Sequence, residues 1–331
     1  MSTLQNIPPV VVAGGAGYIG SHMVRLLADH GVRPIVVDNL ATGHADAVGG
    51  ATLRQGDIGD AAFMGAVLRE FQPACVMHFA AASLVGESVA DPGKYWRNNL
   101  VQTLSLLDTM RACGVGQFIF SSTAAVYGEP VAVPMTEQHP CLPINPYGQS
   151  KLAVERVLAD YGRAYGLRST TFRYFNAAGA HPDGSLGERH EPETHLVPLV
   201  LQVASGRRPL IARFGSNFAT RDGSCIRDYV HVQDLCEAHL LAWRALQAGA
   251  AGATYNLGNG AGHSVDEVIA AARRVTGHAI PLRDDPPRAG DPPVLVADAT
   301  RARTELGWTP RYAELDTIIA HAWQWEQRGA R

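Results

Sequence analysis

A doubly wound α/β fold, a parallel sheet with helices on both faces, is what this sequence predicts, and three observations predict it. Short apolar runs alternate with longer amphipathic stretches through the first half of the chain. The runs are continuous rather than alternating, as in Val10-Val11-Val12-Ala13 and Ile35-Val36-Val37, the pattern of strands covered on both faces. Directly after the first run comes Gly14-Gly15-Ala16-Gly17-Tyr18-Ile19-Gly20, where glycines three apart turn a strand sharply into a helix.

Taken in order, strands are expected at 10–13, 34–38, 52–56, 74–79, 117–121 and 168–175, with helices at 18–30, 61–71 and 95–112 between them. A further helix is expected over 147–165, opened by Asn145-Pro146 and carrying Leu152, Val154, Val157, Leu158 and Tyr161 towards a core. Beyond about residue 175 the texture changes. Residues 181–193 are polar and read as a surface loop, 209–212 as a strand, 215–223 as turns and 255–258 as a late strand. Ser264 followed by Glu267 predicts a capped helix to about 276.

Composition narrows the function. The chain has 331 residues, 46% of them hydrophobic, enough for one large domain with a smaller one. Its formal charge is −3 with no basic block, so neither nucleic acid nor an anionic membrane is expected as a partner. No apolar run reaches the roughly 18 residues a bilayer requires. The first nine residues lack the charged and apolar regions of a secretory signal, and a cytoplasmic location is expected. Five scattered cysteines without C-x-x-C suit free thiols in a reducing compartment. Thirteen histidines show no H-E-x-x-H spacing, and no metal site is expected.

The glycine loop suggests a dinucleotide. Gly14, Gly17 and Gly20 allow the tight turn, close approach of a pyrophosphate and close packing of helix on strand. The helix starting at Tyr18 and Ile19 turns its free N–H groups and positive dipole end towards the phosphates. Asp38 closes the second strand, where a carboxylate accepts from adenosine ribose hydroxyls; Asn39 and Leu40 follow it, with no Arg to receive a 2′-phosphate, so NAD is expected rather than NADP. Asp57 and Ile58, after the third strand, are placed to meet adenine, although Asp57 suits an ordinary loop equally well. On this basis residues 1–175 are expected to form an NAD-binding Rossmann domain. Residues 176–331 are expected to be mainly a substrate-binding domain, with a segment near 230–262 returning to the first.

Tyr147 and Lys151 are four residues apart on the expected helix and so share a face. A phenol titrates near 10, too high for a base at neutral pH, and a neighbouring ammonium lowers it. Such pairs also occur on exposed helix faces by chance. Here, however, the chain contains 26 Arg and only 2 Lys, Lys94 and Lys151, so a lysine at that spacing points to a need for a compact primary ammonium. Ser121-Ser122-Thr123 ends the fifth expected strand on the side that faces ligands; Thr123 is the expected proton relay.

With these residues in place, residues 14–21, Tyr147-x-x-x-Lys151 and Thr123 resemble the extended short-chain dehydrogenase/reductase superfamily. Longer strings, FAAASLVGES at 79–88, STAAVYGEP at 122–130, RYFNAAGA at 173–180, DGSCIRDYVHV at 222–232 and LGWTP at 306–310, resemble its UDP-glucose 4-epimerase family. The resemblance implies that NAD oxidises the sugar at C4 and reduces the resulting 4-keto sugar on its other face. It places Phe79, Ala80, Ala81, Ser83, Asn98 and Phe175 at the cofactor. It places Asn176, His195, Leu196, Phe214, Arg227, Arg288 and Asp291 at a UDP-sugar, the two arginines on the diphosphate. It also implies a homodimer formed through the helices at 95–112 and 147–165. His195 stands where Asn is common in the family, and Ser83 where some members carry Lys. Leu295 occupies the position that sets room for a 2-acetamido group, and its intermediate size implies a preference for UDP-glucose and UDP-galactose. A UDP-uronic acid 4-epimerase or a nucleotide-sugar dehydratase would use the same scaffold. The dehydratases carry Asp-Glu after the strand-end Thr, where this chain has Ala124 and Ala125. A non-catalytic dinucleotide sensor would have no use for Tyr147 and Lys151.

Overall fold

The computed structural model describes residues 7–288 and 291–329. The chain divides into two compact units: one comprises the chain up to Gly128, Cys141–Arg173 and Cys236–Tyr255; the other comprises Glu129–Pro140, Tyr174–Leu235 and the chain from Asn256 onward.

The first unit is built on a seven-stranded sheet. Its strands are β1 (Val10–Ala13), β2 (Pro34–Asp38), β3 (Thr52–Gln55), β4 (Cys75–His78), β5 (Gln117–Thr123), β6 (Arg168–Tyr174) and a last strand, Thr254–Leu257. From one edge the order is Thr254–Leu257, β6, β5, β4, β1, β2, β3. Registers such as Val11↔Ile35 and Val11↔Val76 make β3, β2, β1, β4 and β5 parallel. The order reverses between β1 and β4, the place where open sheets of this kind bind ligands at their carboxyl ends. All residues of β1, β2 and β4 are buried, as the continuous apolar runs predicted. Helices Ala61–Phe71, Gln102–Ala112 and Pro146–Tyr165 supply Met64, Leu68, Leu106, Met110, Val154 and Leu158 to the core around these strands.

Two elements differ from expectation. The helix expected over 95–112 is a short turn, Pro92–Tyr95, a wider i→i+5 turn over Trp96–Val101, then a regular helix Gln102–Ala112. Such a widened turn breaks the 3.6-residue register. The second is β5, which extends two residues beyond 121 because Thr123 is still extended, at φ −152° and ψ 151°.

In the second unit, helices Leu196–Ala204, Val265–Thr276 and Leu315–Gly329 pack Val200, Leu201, Ile269, Ala272, Ile318 and Ile319 into one core. Ser264 and Glu267 form the expected capping box. Small sheets flank this core: Asn176–Ala178 runs parallel to Tyr229–His231, and Ile226–Arg227 lies between His263–Ser264 and Val294–Leu295. The strand expected at 209–212 is shifted to Ile211–Phe214, since Pro209 has no N–H to give a ladder. Residues 181–193 carry neither helix nor strand, as expected of a surface loop, and the loop is tied down: Trp325 Nε1 donates to the Glu188 carbonyl at 3.0 Å, and Arg328 donates to the Asp183 carbonyl at 2.7 Å.

Candidate active site

The glycine loop takes its shape from close approach. Gly14 has φ +77°, and a Cβ there would lie 2.5 Å from the Ala80 nitrogen; a Cβ at Gly20 would lie 2.1 Å from the Gly14 carbonyl oxygen. Gly17 is different: its Cβ would meet only the Gly14 carbonyl, at 3.4 Å, so packing within the chain does not demand glycine there. Gly17 caps helix Tyr18–Asp29 without a side-chain hydrogen bond, and the first turn holds no acidic residue. A bare helix start, with a glycine that only an outside group requires, fits a bound pyrophosphate. Asp38 is buried at the end of β2; its Oδ2 accepts from Ala16 N at 2.9 Å and its Oδ1 from Leu40 N at 2.8 Å. Each oxygen retains a lone pair for a ribose hydroxyl. Asn39 is occupied locally, its Oδ1 accepting from Ala41 N.

The remaining expected cofactor residues are less uniform. Asp57 accepts from Gly59 N at 2.7 Å and from Gln102 Nε2 at 3.1 Å, tying the turn after β3 to helix Gln102–Ala112; Ile58 is part of the core. Both side chains therefore have structural work. Phe79 and Ala80 are anchored by backbone bonds to the Ala13 carbonyl, and Phe79 leans on His239, ring centroids 4.9 Å apart. Ala81 is partly buried and Ser83 exposed. The amide of Asn98 donates to Asn99.

Tyr147, Thr123 and Lys151 come together as expected. Asn145 starts their helix by accepting from Gly148 N at 2.9 Å, Pro146 takes the first turn, and Gly166 ends it at φ +72°. Thr123 hydrogen-bonds to the Tyr147 phenol. Burial pushes that phenol above its ordinary value, with the Thr123 hydrogen bond acting against it. Lys151 is buried, its Nζ donating to the Ser121 carbonyl at 2.8 Å and lying 4.8 Å above the Phe120 ring. Desolvation brings it down to about 7, with Glu155 pulling it upward.

The three strand-end hydroxyl positions have separate jobs. Ser121 offers its carbonyl to Lys151, Thr123 meets Tyr147, and Ser122 Oγ donates to Glu155 at 2.5 Å. Glu155 forms a buried two-point pair with Arg173, with Nε at 3.1 Å and Nη2 at 2.6 Å, and Arg173 also donates to the Tyr127 hydroxyl. The sequence reading missed this network, although Glu155 stands four residues beyond Lys151 on the same face. It also missed Asn99, which is buried, bonds both backbone groups of Ala82, and donates to Ser150 Oγ at 3.1 Å.

In the second unit, Arg227 is largely buried and pairs with Asp291, while its Nη1 donates to the Ile226 carbonyl. Arg288 is exposed and stacks on Phe214, 4.1 Å from the ring centre. Leu295 lies opposite Arg227 in the parallel register. Asn176 is half-buried, its N–H given to the Asp228 carbonyl, and Phe175 N donates to the Leu257 carbonyl. Asp228 was not singled out from sequence; it is fully buried and accepts from Asn259, Gly260 and Ala297 N–H groups, fixing the strand that carries Arg227. His195 caps helix Leu196–Ala204, but its ring points to acids: Nδ1 is 2.5 Å from Glu188 Oε1 and 3.5 Å from Glu193 Oε1. His190 joins them, so four possible metal ligands cluster where none was expected. Their order, E-x-H-x-x-E-x-H, was the available signal.

Comparison with known proteins gives the class first. Residues 10–258 match the NAD dependent epimerase/dehydratase family, and the chain belongs to it. Its relatives within that family are UDP-glucose 4-epimerases. That of Halalkalibacterium halodurans is 50% identical over 96% of this chain and 95% of its own length. The solved UDP-glucose 4-epimerase of Brucella ovis, in complex with NAD, superposes with a TM-score of 0.94 at 48% identity, covering 96% of this chain and 97% of that one. That of Bifidobacterium longum, in complex with NAD+ and UDP, superposes with a TM-score of 0.91 at 38% identity, covering 97% and 98%.

Proposed function

We propose that this chain interconverts UDP-glucose and UDP-galactose by inverting the sugar at C4, with NAD as a recycled cofactor. The observation that carries the reading is the half-buried Tyr147–Thr123 pair at the carboxyl end of β5, with the buried Lys151 one turn on. Gly14, Gly17, Tyr18, Ile19, Gly20 and Asp38 hold the cofactor's phosphates and ribose, with Phe79, Ala80, Ala81, Ser83, Asn98 and Phe175 around it. Bound NAD supplies a positively charged ring and a carbon that takes and returns the C4 hydride. Tyr147 removes the proton from the C4 hydroxyl and gives it back after the sugar has turned. Thr123 steadies the phenolate, and Lys151 adds its charge and donates to hydroxyls near it. Arg227 and Arg288 hold the diphosphate bidentately while the hexose rotates about it, with Asn176, His195, Leu196, Phe214 and Asp291 seating the rest. Ala124 and Ala125 provide no acid–base pair for eliminating water.

The first unit serves as the NAD domain and the second as the substrate domain. The enzyme is a cytoplasmic homodimer; five free thiols suit a reducing compartment. The test is to incubate purified protein with UDP-galactose, without added NAD, and follow UDP-glucose by NMR. Conversion is expected, and Tyr147→Phe is expected to lose about 100- to 10,000-fold in rate while keeping its NAD. A Tyr147→Phe enzyme with unchanged turnover overturns the mechanism.

A further inference from the structure

The side chains of Glu188, His190, Glu193 and His195 converge in the second unit, one ligand atom from each lying within 4.8 Å of all the others. Their separations bracket those of atoms round a common centre: His195 Nδ1 to Glu188 Oε1 2.5 Å, His190 Nδ1 to Glu188 Oε1 3.2 Å, His195 Nδ1 to Glu193 Oε1 3.5 Å, and His190 Nδ1 to Glu193 Oε2 3.9 Å. Tetrahedral ligands bonded to zinc at about 2.0–2.1 Å stand roughly 3.3 Å apart. We propose that these four side chains form a binding site for a divalent late first-row metal ion, Zn²⁺ by donor chemistry.

A second observation points to an ion rather than to ion pairs alone. Glu188 Oε1 is buried and makes no hydrogen bond, although imidazole nitrogens lie 2.5 and 3.2 Å away. A buried oxygen that two imidazole nitrogens face, off the lines of their N–H bonds, is oriented as a ligand. The supporting contacts also suit a built site. Trp325 Nε1 holds the Glu188 backbone, and Glu193 Oε1 accepts from Thr194 N at 2.7 Å and His195 N at 2.9 Å. Ligand carboxylates are commonly held by such outer contacts. Two imidazoles and two carboxylates select zinc-like ions over Mg²⁺ or Ca²⁺, which prefer more oxygen donors. Two carboxylates neutralise the ion, and four protein ligands close its shell, which makes the site structural. Occupancy would tie residues 188–193 to His195, the start of helix Leu196–Ala204.

The test uses the full chain, stripped with a chelator and titrated with Zn²⁺ by calorimetry and with Co²⁺ by visible absorption. One ion per chain is expected, with the intense bands of four-coordinate cobalt and a higher unfolding temperature on adding Zn²⁺. His190→Ala and Glu193→Gln are each expected to weaken binding on the order of 100-fold or more and to abolish the thermal shift; either variant suffices should the other not fold. No stoichiometric uptake, or uptake equal to wild type in the folded variants, overturns the proposal and leaves a cluster of ion pairs.

Discussion

Thr123 and Lys151 act on the phenol of Tyr147 in different ways, and each difference is measurable. Thr123 contributes a hydrogen bond that counts most when the phenol is ionised. Bonds to charged groups are worth about 1.5–3 kcal/mol, so Thr123→Ala should lower kcat by about 10- to 100-fold with the fold intact. Steady-state rates on UDP-galactose check this, and an unchanged kcat would remove Thr123 from the mechanism. Lys151 makes a prediction about stability. Its ammonium is buried and brought down to about 7, well below the unfolded value. Between about 7 and 10.4 the unfolded chain therefore binds a proton that the folded chain does not, and stability rises with pH. The cost of burying the charge is fully present below about pH 7 and is relieved above it. Lys151→Met should accordingly gain more over wild type at pH 6 than at pH 9, read as the difference in urea midpoints. A gain independent of pH would mean that Lys151 keeps its ordinary proton affinity when folded.

At the scale of elements, the catalytic helix is held by charge as well as by its apolar face. Glu155 and Arg173 pair across the helix and β6, both with side chains 8% exposed. Removing one partner leaves the other charged and buried, which costs about 3–5 kcal/mol, whereas replacing both by apolar groups of similar size is often close to neutral. Glu155→Gln should therefore destabilise on that order, and Glu155→Leu with Arg173→Met should recover most of the loss in urea unfolding. If the double replacement costs as much as the single one, packing rather than ion pairing holds the helix. This network also marks where sequence ceases to be enough. The strands β1, β2 and β4 were legible because both their faces are covered and their residues, apart from the terminal Asp38 and His78, are apolar. Tyr147 and Lys151 were legible because a helix fixes the geometry of residues four apart. Glu155–Arg173 and Asn99–Ser150 join residues whose meeting depends on tertiary packing. Periodicity carries no information about such pairs. The widened turn at Trp96–Val101 escaped because its sequence is an ordinary helix sequence.

At the scale of the whole molecule, the first unit presents exposed apolar side chains on adjoining elements. Val85, Val89 and Val101 are exposed, Val89 to 64%, and Tyr165 at the end of the catalytic helix is 54% exposed. Helix Val85–Ala90 and the turn Trp96–Val101 both pack beside the catalytic helix, so these side chains come from elements that adjoin one another. Single exposed apolar residues are ordinary, but several on adjoining elements suit an interface. The helices concerned are those through which the family resemblance implies a two-fold contact, and a two-fold axis makes such a patch meet its own copy. A stable contact needs about 800 Å² from each partner with an apolar centre. A charge placed at that centre on both sides of the axis meets its own like charge. Val101→Glu is therefore expected to turn a dimer into a monomer in sedimentation, while Val131→Glu, a control in the second unit at 76% exposure, leaves the dimer in place. A wild-type chain that sediments as a monomer at micromolar concentration would exclude this face as an interface, and a dimer that survives Val101→Glu would place its two-fold elsewhere.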